Sequence, residues 1–134
     1  MTKNLEEFFY FILNHSQECI VRYDANGCIN YCNDRLLELT GYSAGELVGA
    51  FIGELFQNVF AVVDNHIELA ADYKDSEIFE TVLYRKNKTC FPVEIQISSA
   101  VFDGEEVLVC TAVDMTRYEE SIRKVEETTI QMQE

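Results

Sequence analysis

The first part of the chain carries apolar residues at helical spacing. They recur at i, i+3, i+4, i+7 and i+8, at Leu5, Phe8, Phe9, Ile12 and Leu13. This spacing predicts an amphipathic helix over residues 1–16 with an unusually aromatic face. Asn4 and Glu7 resemble a capping box near its start. Because a lone helix rarely leaves so much apolar surface exposed, we expect the face to cover the outer side of a sheet, to pair with a second copy, or both.

Two short β-type runs follow, at residues 19–23 and 28–32. Between them, Asn26 and Gly27 supply the positive φ angles that a tight turn needs. The two runs therefore predict a β-hairpin.

Three helical segments are predicted after this hairpin. Asn33 is placed to cap a short helix that ends at Gly41, and Ser43 with Glu46 forms a capping box that opens a second one. A longer helix is expected over residues 53–71, because its apolar residues fall on one side at helical spacing. These residues are Leu55, Phe56, Val59, Phe60, Val63 and Ile67.

From residue 77 onward, apolar and polar residues alternate, which is the period of a strand with one buried face. Turn signals divide this part into strands over residues 77–86, 89–101 and 106–115. Thr116 and Glu119 then resemble a capping box, and the chain is expected to be helical to its end.

The last helix has a second apolar pattern. Tyr118, Ile122 and Val125 are spaced by four and three residues, and Thr129 and Met132 continue the spacing. This is the heptad pattern of a coiled-coil seam, although two heptads alone make a marginal one.

Four segments, in order, resemble the motifs of the PAS domain family. Residues 24–33 are similar to D-x-x-G-x-I-x-Y-x-N, and residues 39–49 to L-x-G-Y-S-x-x-E-L-x-G. Residues 85–93 resemble R-K-D-G-x-x-F-P-V, with Asn87-Lys88 in place of Asp-Gly, and residues 114–117 resemble D-I-T-x-R. One such motif would be weak evidence, whereas four at the right spacing are specific.

The resemblance implies an α+β fold with a five-stranded antiparallel sheet and short helices on one face. Residues 17–116 would form the PAS core. Residues 1–16 would be an N-terminal capping and dimerisation helix, and residues 117–134 a C-terminal signalling helix. The resemblance also brings the Glu46 region near the end of the first long strand, so we expect Glu46 to form an ion pair with Arg85 or Lys86.

Charge and cysteine content exclude several classes of function. The chain has 24 acidic and 10 basic residues, for a net charge of -14, which repels nucleic acid and anionic membrane surfaces. Its first seven residues lack the pattern of a signal peptide, so we do not expect one there, and none of its apolar runs is long enough to span a bilayer. The five cysteines have no paired spacing, and free thiols in a reducing cytoplasm explain them best.

The sequence shows no catalytic constellation, so we do not expect an enzyme. Cys28 and Cys32 share a face, but no histidine nearby suggests a metal site. His66 lies on the expected long helix, the element that carries the iron-ligating histidine in haem-binding PAS domains. A surface histidine is favoured, and haem remains the weaker alternative.

Positions that face the ligand pocket in flavin-binding PAS domains are all apolar here. A flavin would leave polar groups unpaired against them, and no cysteine between Cys32 and Cys90 could react with it, so flavin is disfavoured. These apolar positions would form a wall that either lines a pocket for an apolar molecule or belongs to a core filled by side chains. The large side chains of the facing helix favour the filled core. The facing helix would contribute Phe56, Phe60 and Ile67, and the strands Leu83, Val93, Ile95, Ile97, Leu108, Cys110 and Ala112.

Together, these expectations predict that the chain is a sensory module of a larger signalling protein. Dimerisation would use Leu5, Phe8, Phe9 and Ile12 with Tyr118, Ile122 and Val125, and signal relay would use Asp114, Thr116 and Arg117. By resemblance, the output domain would be a histidine kinase or a diguanylate cyclase. A ligand-free structural dimerisation module is the alternative, with haem sensing as a second one.

Overall fold

The computed structural model describes residues 2–56, 59–69 and 78–133, with the side chains of residues 7–56, 59–69 and 78–126. Four α-helices lie in this part of the chain: α1 Thr2–Asn14, α2 Asp34–Thr40, α3 Ala44–Leu47 and α4 Thr116–Gln133. Its strands are β1 Cys19–Tyr23, β2 Ile29–Cys32, β3 Phe60–Val63, β4 His66–Leu69, β5 Ile78–Tyr84, β6 Cys90–Phe102 and β7 Glu105–Asp114. No helix in the described parts of the chain is both long and apolar enough to cross a membrane.

Five strands form one antiparallel sheet in the order β2-β1-β7-β6-β5, and the predicted α+β fold is confirmed. The inner face of the sheet carries the core, packed under α2, α3 and a short 3₁₀ turn at Ile52–Glu54. The last three strands match the alternating pattern to within one or two residues. The first helix is also confirmed, but it begins at Thr2, so Asn4 lies inside it rather than at its cap.

The predicted caps of the short helices are confirmed. Asn33 accepts a hydrogen bond from the Leu36 amide at the start of α2, and Gly41 ends that helix with φ 82°. At α3, Ser43 and Glu46 form a complete capping box. These local bonds satisfy amide groups that a short helix leaves without partners.

The β1–β2 hairpin is also confirmed, and Asp24 organises its turn. Its Oδ1 accepts hydrogen bonds from the amides of Asn26 at 2.9 Å and Cys28 at 3.0 Å. Gly27 adopts φ 85°, whereas Asn26 does not have the positive φ expected of it. A Cβ at Gly27 would lie 2.6 Å from the Phe51 ring. Both the left-handed backbone and the close ring require glycine here.

The long helix expected over residues 53–71 is wrong. Beyond the 3₁₀ turn at Ile52–Glu54, the described part of this segment forms the antiparallel hairpin of β3 and β4. Its two-residue turn is Asp64-Asn65, with φ 52° and 59°. Asp and Asn tolerate positive φ and favour a primed hairpin turn, and β-branched residues before the turn favour a strand.

This correction changes the position of four predicted residues. Phe60 and Ile67 lie on strands rather than on a helix facing the sheet. Phe56 is not helical either, and it forms an isolated bridge to Leu83. His66 is an exposed residue at the start of β4, so the helical placement that suggested a haem ligand is also wrong.

Candidate functional site

The structure brings the predicted strand positions together as one wall on the inner face of the sheet. Register places Ile95 opposite Ala112 and Ile97 opposite Cys110. Six of the seven predicted strand residues are at most 2% exposed, and Leu108 packs against them as a partly buried residue. The six are Leu83, Val93, Ile95, Ile97, Cys110 and Ala112.

Side chains of the protein itself cover the middle of this wall. Phe56 is 1% exposed, and its backbone bridges to Leu83 of β5. Its ring lies 6.1 Å from that of Phe60, which in turn meets Tyr23 edge-on at 5.4 Å. The aromatic side chains of the protein therefore pack against this wall.

A cleft of about 100 Å³ remains at one end of the wall, between the β3–β4 hairpin and the sheet. Phe60, Ile97 and Leu108 are among its apolar lining residues. Its volume is below the roughly 300–1,000 Å³ of ordinary small-molecule pockets. The sequence analysis did not predict six of the lining residues, which are Tyr23, His66, Glu68, Leu69, Ser99 and Glu106. The alternation of the strands could have found two of them, Tyr23 and Ser99.

The buried thiols are poor nucleophiles and metal ligands at neutral pH. Burial raises the pKa of Cys19 to about 12, and burial also raises the pKa of Cys110. A thiol must lose its proton to react or to bind a metal. Within the described residues, no group of three His, Cys, Asp or Glu side chains could hold a metal ion.

The junction between the wall and the last helix is fixed by Asp114. Its Oδ1 accepts hydrogen bonds from the Thr116 amide at 3.0 Å and from the Thr116 hydroxyl at 2.6 Å. The Met115 amide donates to the Pro92 carbonyl at 2.9 Å. Asp114 therefore supports the start of α4, and the structure does not show the capping box expected at Thr116 and Glu119. Arg117 is exposed and does not join this contact.

The first helix lies against the outer face of the sheet along the β1–β2 edge. The rings of Tyr10 and Tyr31 are 5.6 Å apart, and Phe9 and Leu13 line a groove with Arg22. Phe8 and Ile12 project from the other side of α1 and are 56% and 48% exposed. The side chain of Leu5 lies outside the described residues.

The last helix presents a second exposed apolar stripe. Tyr118, Ile122 and Val125 are exposed and line one shallow surface. Helical periodicity places them on the same side. The side chains of Thr129 and Met132 lie outside the described residues.

The predicted ion pair of Glu46 is confirmed, with Lys86 as its partner. Lys86 Nζ lies 2.7 Å from Glu46 Oε2, whereas the Arg85 guanidinium lies over the Phe91 ring, 4.4 Å from its centroid. The hydrogen bond from Lys86, followed by the one from the Ser43 amide, lowers the pKa of Glu46 to about 2.

Comparisons with known proteins agree with this architecture. The family model described as "PAS domain" matches residues 17–117. A search of curated proteins gives no match.

Solved structures give further matches. The PAS domain of an HTR-like protein from Haloarcula marismortui is 24% identical with a TM-score of 0.66, and the match covers 84% of this chain and 96% of that chain. A PAS domain from a two-component sensor histidine kinase is 14% identical with a TM-score of 0.69, covering 85% and 99%. The PAS domain of Bordetella pertussis BvgS is 16% identical with a TM-score of 0.58, covering 93% and 97%. At these identities, the likeness concerns the fold.

Proposed function

Because the chain belongs to the PAS domain family, we propose that it is a sensory and dimerisation module that relays its state through α4 to a C-terminal output domain. The observation that carries this proposal is the continuity of β7. Ala112 belongs to the buried wall, and Asp114, two residues later on the same strand, holds the first residue of α4. A rearrangement of the wall that shifts β7 would therefore move the start of α4.

Dimerisation is supported by the exposed apolar surfaces of the two end helices. Burying one Phe side chain contributes about 1.5–3 kcal/mol, so the outward Phe8 and Ile12, together with the exposed part of Phe9, favour pairing with a second copy. The seam of Tyr118, Ile122 and Val125 is too short to hold two chains by itself. A parallel homodimer would use α1 for affinity and set the two copies of α4 side by side.

A histidine kinase or a diguanylate cyclase is the proposed output domain. Two parallel copies of α4 would supply the connection that a paired output domain requires. A structural dimerisation module is the second candidate, and it is favoured by the covering of the wall by Phe56 and Phe60. Mass spectrometry of protein purified without added ligand distinguishes them, because a stoichiometric small molecule would favour the sensor.

The relay is tested by perturbing the wall and measuring hydrogen exchange at the start of α4. Ile95→Ala removes side-chain volume opposite Ala112, and we expect exchange in the first turn of α4 to change by about fivefold or more. Leu36→Ala is the control, because Leu36 is equally buried but lies on α2. Adding Asp114→Ala should abolish the effect of Ile95→Ala on α4. Equal effects of Ile95→Ala and Leu36→Ala would reject the relay.

A further inference from the structure

Asn33 is a buried polar residue at the point where β2, α2 and the end of α1 meet. It is 0% exposed. Because an unpaired polar group is costly in a protein interior, its side chain needs hydrogen-bond partners there. Both halves of its carboxamide are hydrogen-bonded, and they bind different parts of the fold.

The acceptor half holds β1 and α2. Oδ1 accepts hydrogen bonds from the Ile20 amide at 2.9 Å and from the Leu36 amide at 3.3 Å. The Asn33 amide also donates to the Ile20 carbonyl at 3.1 Å. This half of the side chain therefore belongs to the core of the domain.

The donor half holds the end of α1. Nδ2 donates to the carbonyls of Leu13 and Glu18, both at 2.9 Å. Leu13 lies in the last turn of α1, where carbonyls have no partner within the helix, and its carbonyl also accepts a longer bond from the Ser16 amide at 3.4 Å. Because Glu18 directly precedes β1, the Asn33 side chain links the end of α1 to the start of β1.

A neighbouring residue supports the same junction from the helix side. Asn14 Oδ1 accepts hydrogen bonds from the Asp34 amide at 3.2 Å and from the Tyr31 hydroxyl at 3.4 Å. Tyr31 also contacts Tyr10. These contacts are partly exposed, so water can replace them when they break. Breaking them therefore costs less free energy than breaking the hydrogen bonds of the buried Asn33 side chain.

We infer that Asn33 couples the position of α1 to β1 and α2, so that the module has an input at its first helix as well as an output at α4. When α1 moves away from β1, the Nδ2 bond to the Leu13 carbonyl breaks, and a buried NH₂ group loses one of its two partners while the bond to Glu18 beside β1 remains. The junction therefore favours either a fully docked or a released α1, rather than a gradual displacement. Because coupling between sites is reciprocal, a shift of β1 or α2 changes the docking of α1 by the same free energy. The coupling at Asn33 is separate from the proposed relay at Asp114 and does not require a dimer.

The isosteric substitution Asn33→Asp tests the donor half alone. Aspartate keeps the two acceptor bonds and the cap of α2, but it places an oxygen opposite the carbonyls of Leu13 and Glu18. Amide exchange in α1 should accelerate on the order of tenfold, while the amides of Ile95 and Cys110 keep their protection. Unchanged exchange in α1 would overturn the inference, and so would equal acceleration throughout the domain.

A reciprocal experiment keeps the inference testable if Asn33→Asp does not fold. Phe11→Pro breaks α1 at an exposed position, and Ser121→Pro breaks α4 in the same way as a control. The amides of Ile20 and Leu36 should exchange faster in Phe11→Pro than in Ser121→Pro, and equal rates in the two variants would overturn the coupling. Phe8→Glu with Ile12→Glu leaves α1 helical and should not affect these amides, which separates this test from that of the dimer.

Discussion

The inner face of the sheet and the two end helices use apolar residues in different ways. On the inner face, Phe56 is buried by the protein's own side chains, whereas on α1 Phe8 remains largely exposed. The same type of residue therefore packs into the core in one place and remains at the surface in the other. The wall contributes to folding, whereas the exposed residues of the end helices are the surface that we propose for assembly.

The largest expected effect tests the folding side of this comparison. Phe56→Ala removes a buried ring that lies next to the Phe60 ring, and it should lower the free energy of unfolding by about 3–5 kcal/mol. Phe102→Ala is the matched control, because Phe102 is 64% exposed on β6, and it should change stability by less than about 0.5 kcal/mol. Chemical denaturation at one protein concentration measures both. Similar losses in the two variants would show that the wall is not packed as described.

The next effect tests the assembly side. Phe8→Glu with Ile12→Glu places charges on the outward side of α1 and should convert a dimer to a monomer while the sheet remains folded. Val62→Glu is the control, because Val62 is also exposed but lies on β3, and it should leave the dimer intact. Light scattering at micromolar concentration and circular dichroism measure the two properties. A monomeric wild-type protein would refute the dimer, and a dimeric double variant would refute the interface.

The same division explains how much the sequence predicts. The sheet and the caps at Asn33 and Ser43 are predictable because each depends on a local pattern. The strand residues of the wall are predictable because alternation places them on one face. The family resemblance predicts that the region of Glu46 meets the region of Arg85 and Lys86. Only side-chain packing decides that Lys86, rather than Arg85, forms the ion pair.

The hairpin of β3 and β4 shows where the sequence pattern is ambiguous. Phe60, Val63 and Ile67 fit a helical stripe, yet short apolar runs do not distinguish a helix from a strand. The turn residues Asp64 and Asn65 were the better signal, because they tolerate positive φ. The support of α4 by Asp114 was not predicted for a related reason, since Thr116 offers an equally plausible cap in the sequence.

The smallest expected effect is the pH dependence of the ion pair, which lies outside both the wall and the assembly surfaces. Because Lys86 and the Ser43 amide lower the pKa of Glu46 from 4.5 to about 2, the unfolded chain binds this proton more readily than the folded one. The stabilising contribution is therefore fully present above pH 4.5 and is lost as the pH falls toward 2. In Lys86→Met, the largest cause of the shift is removed, and the Glu46 carboxyl should titrate at a higher pH than in the wild-type protein. An NMR titration of the Glu46 side chain measures this difference, and the same titration midpoint in both proteins would show that Lys86 does not hold the carboxylate in solution.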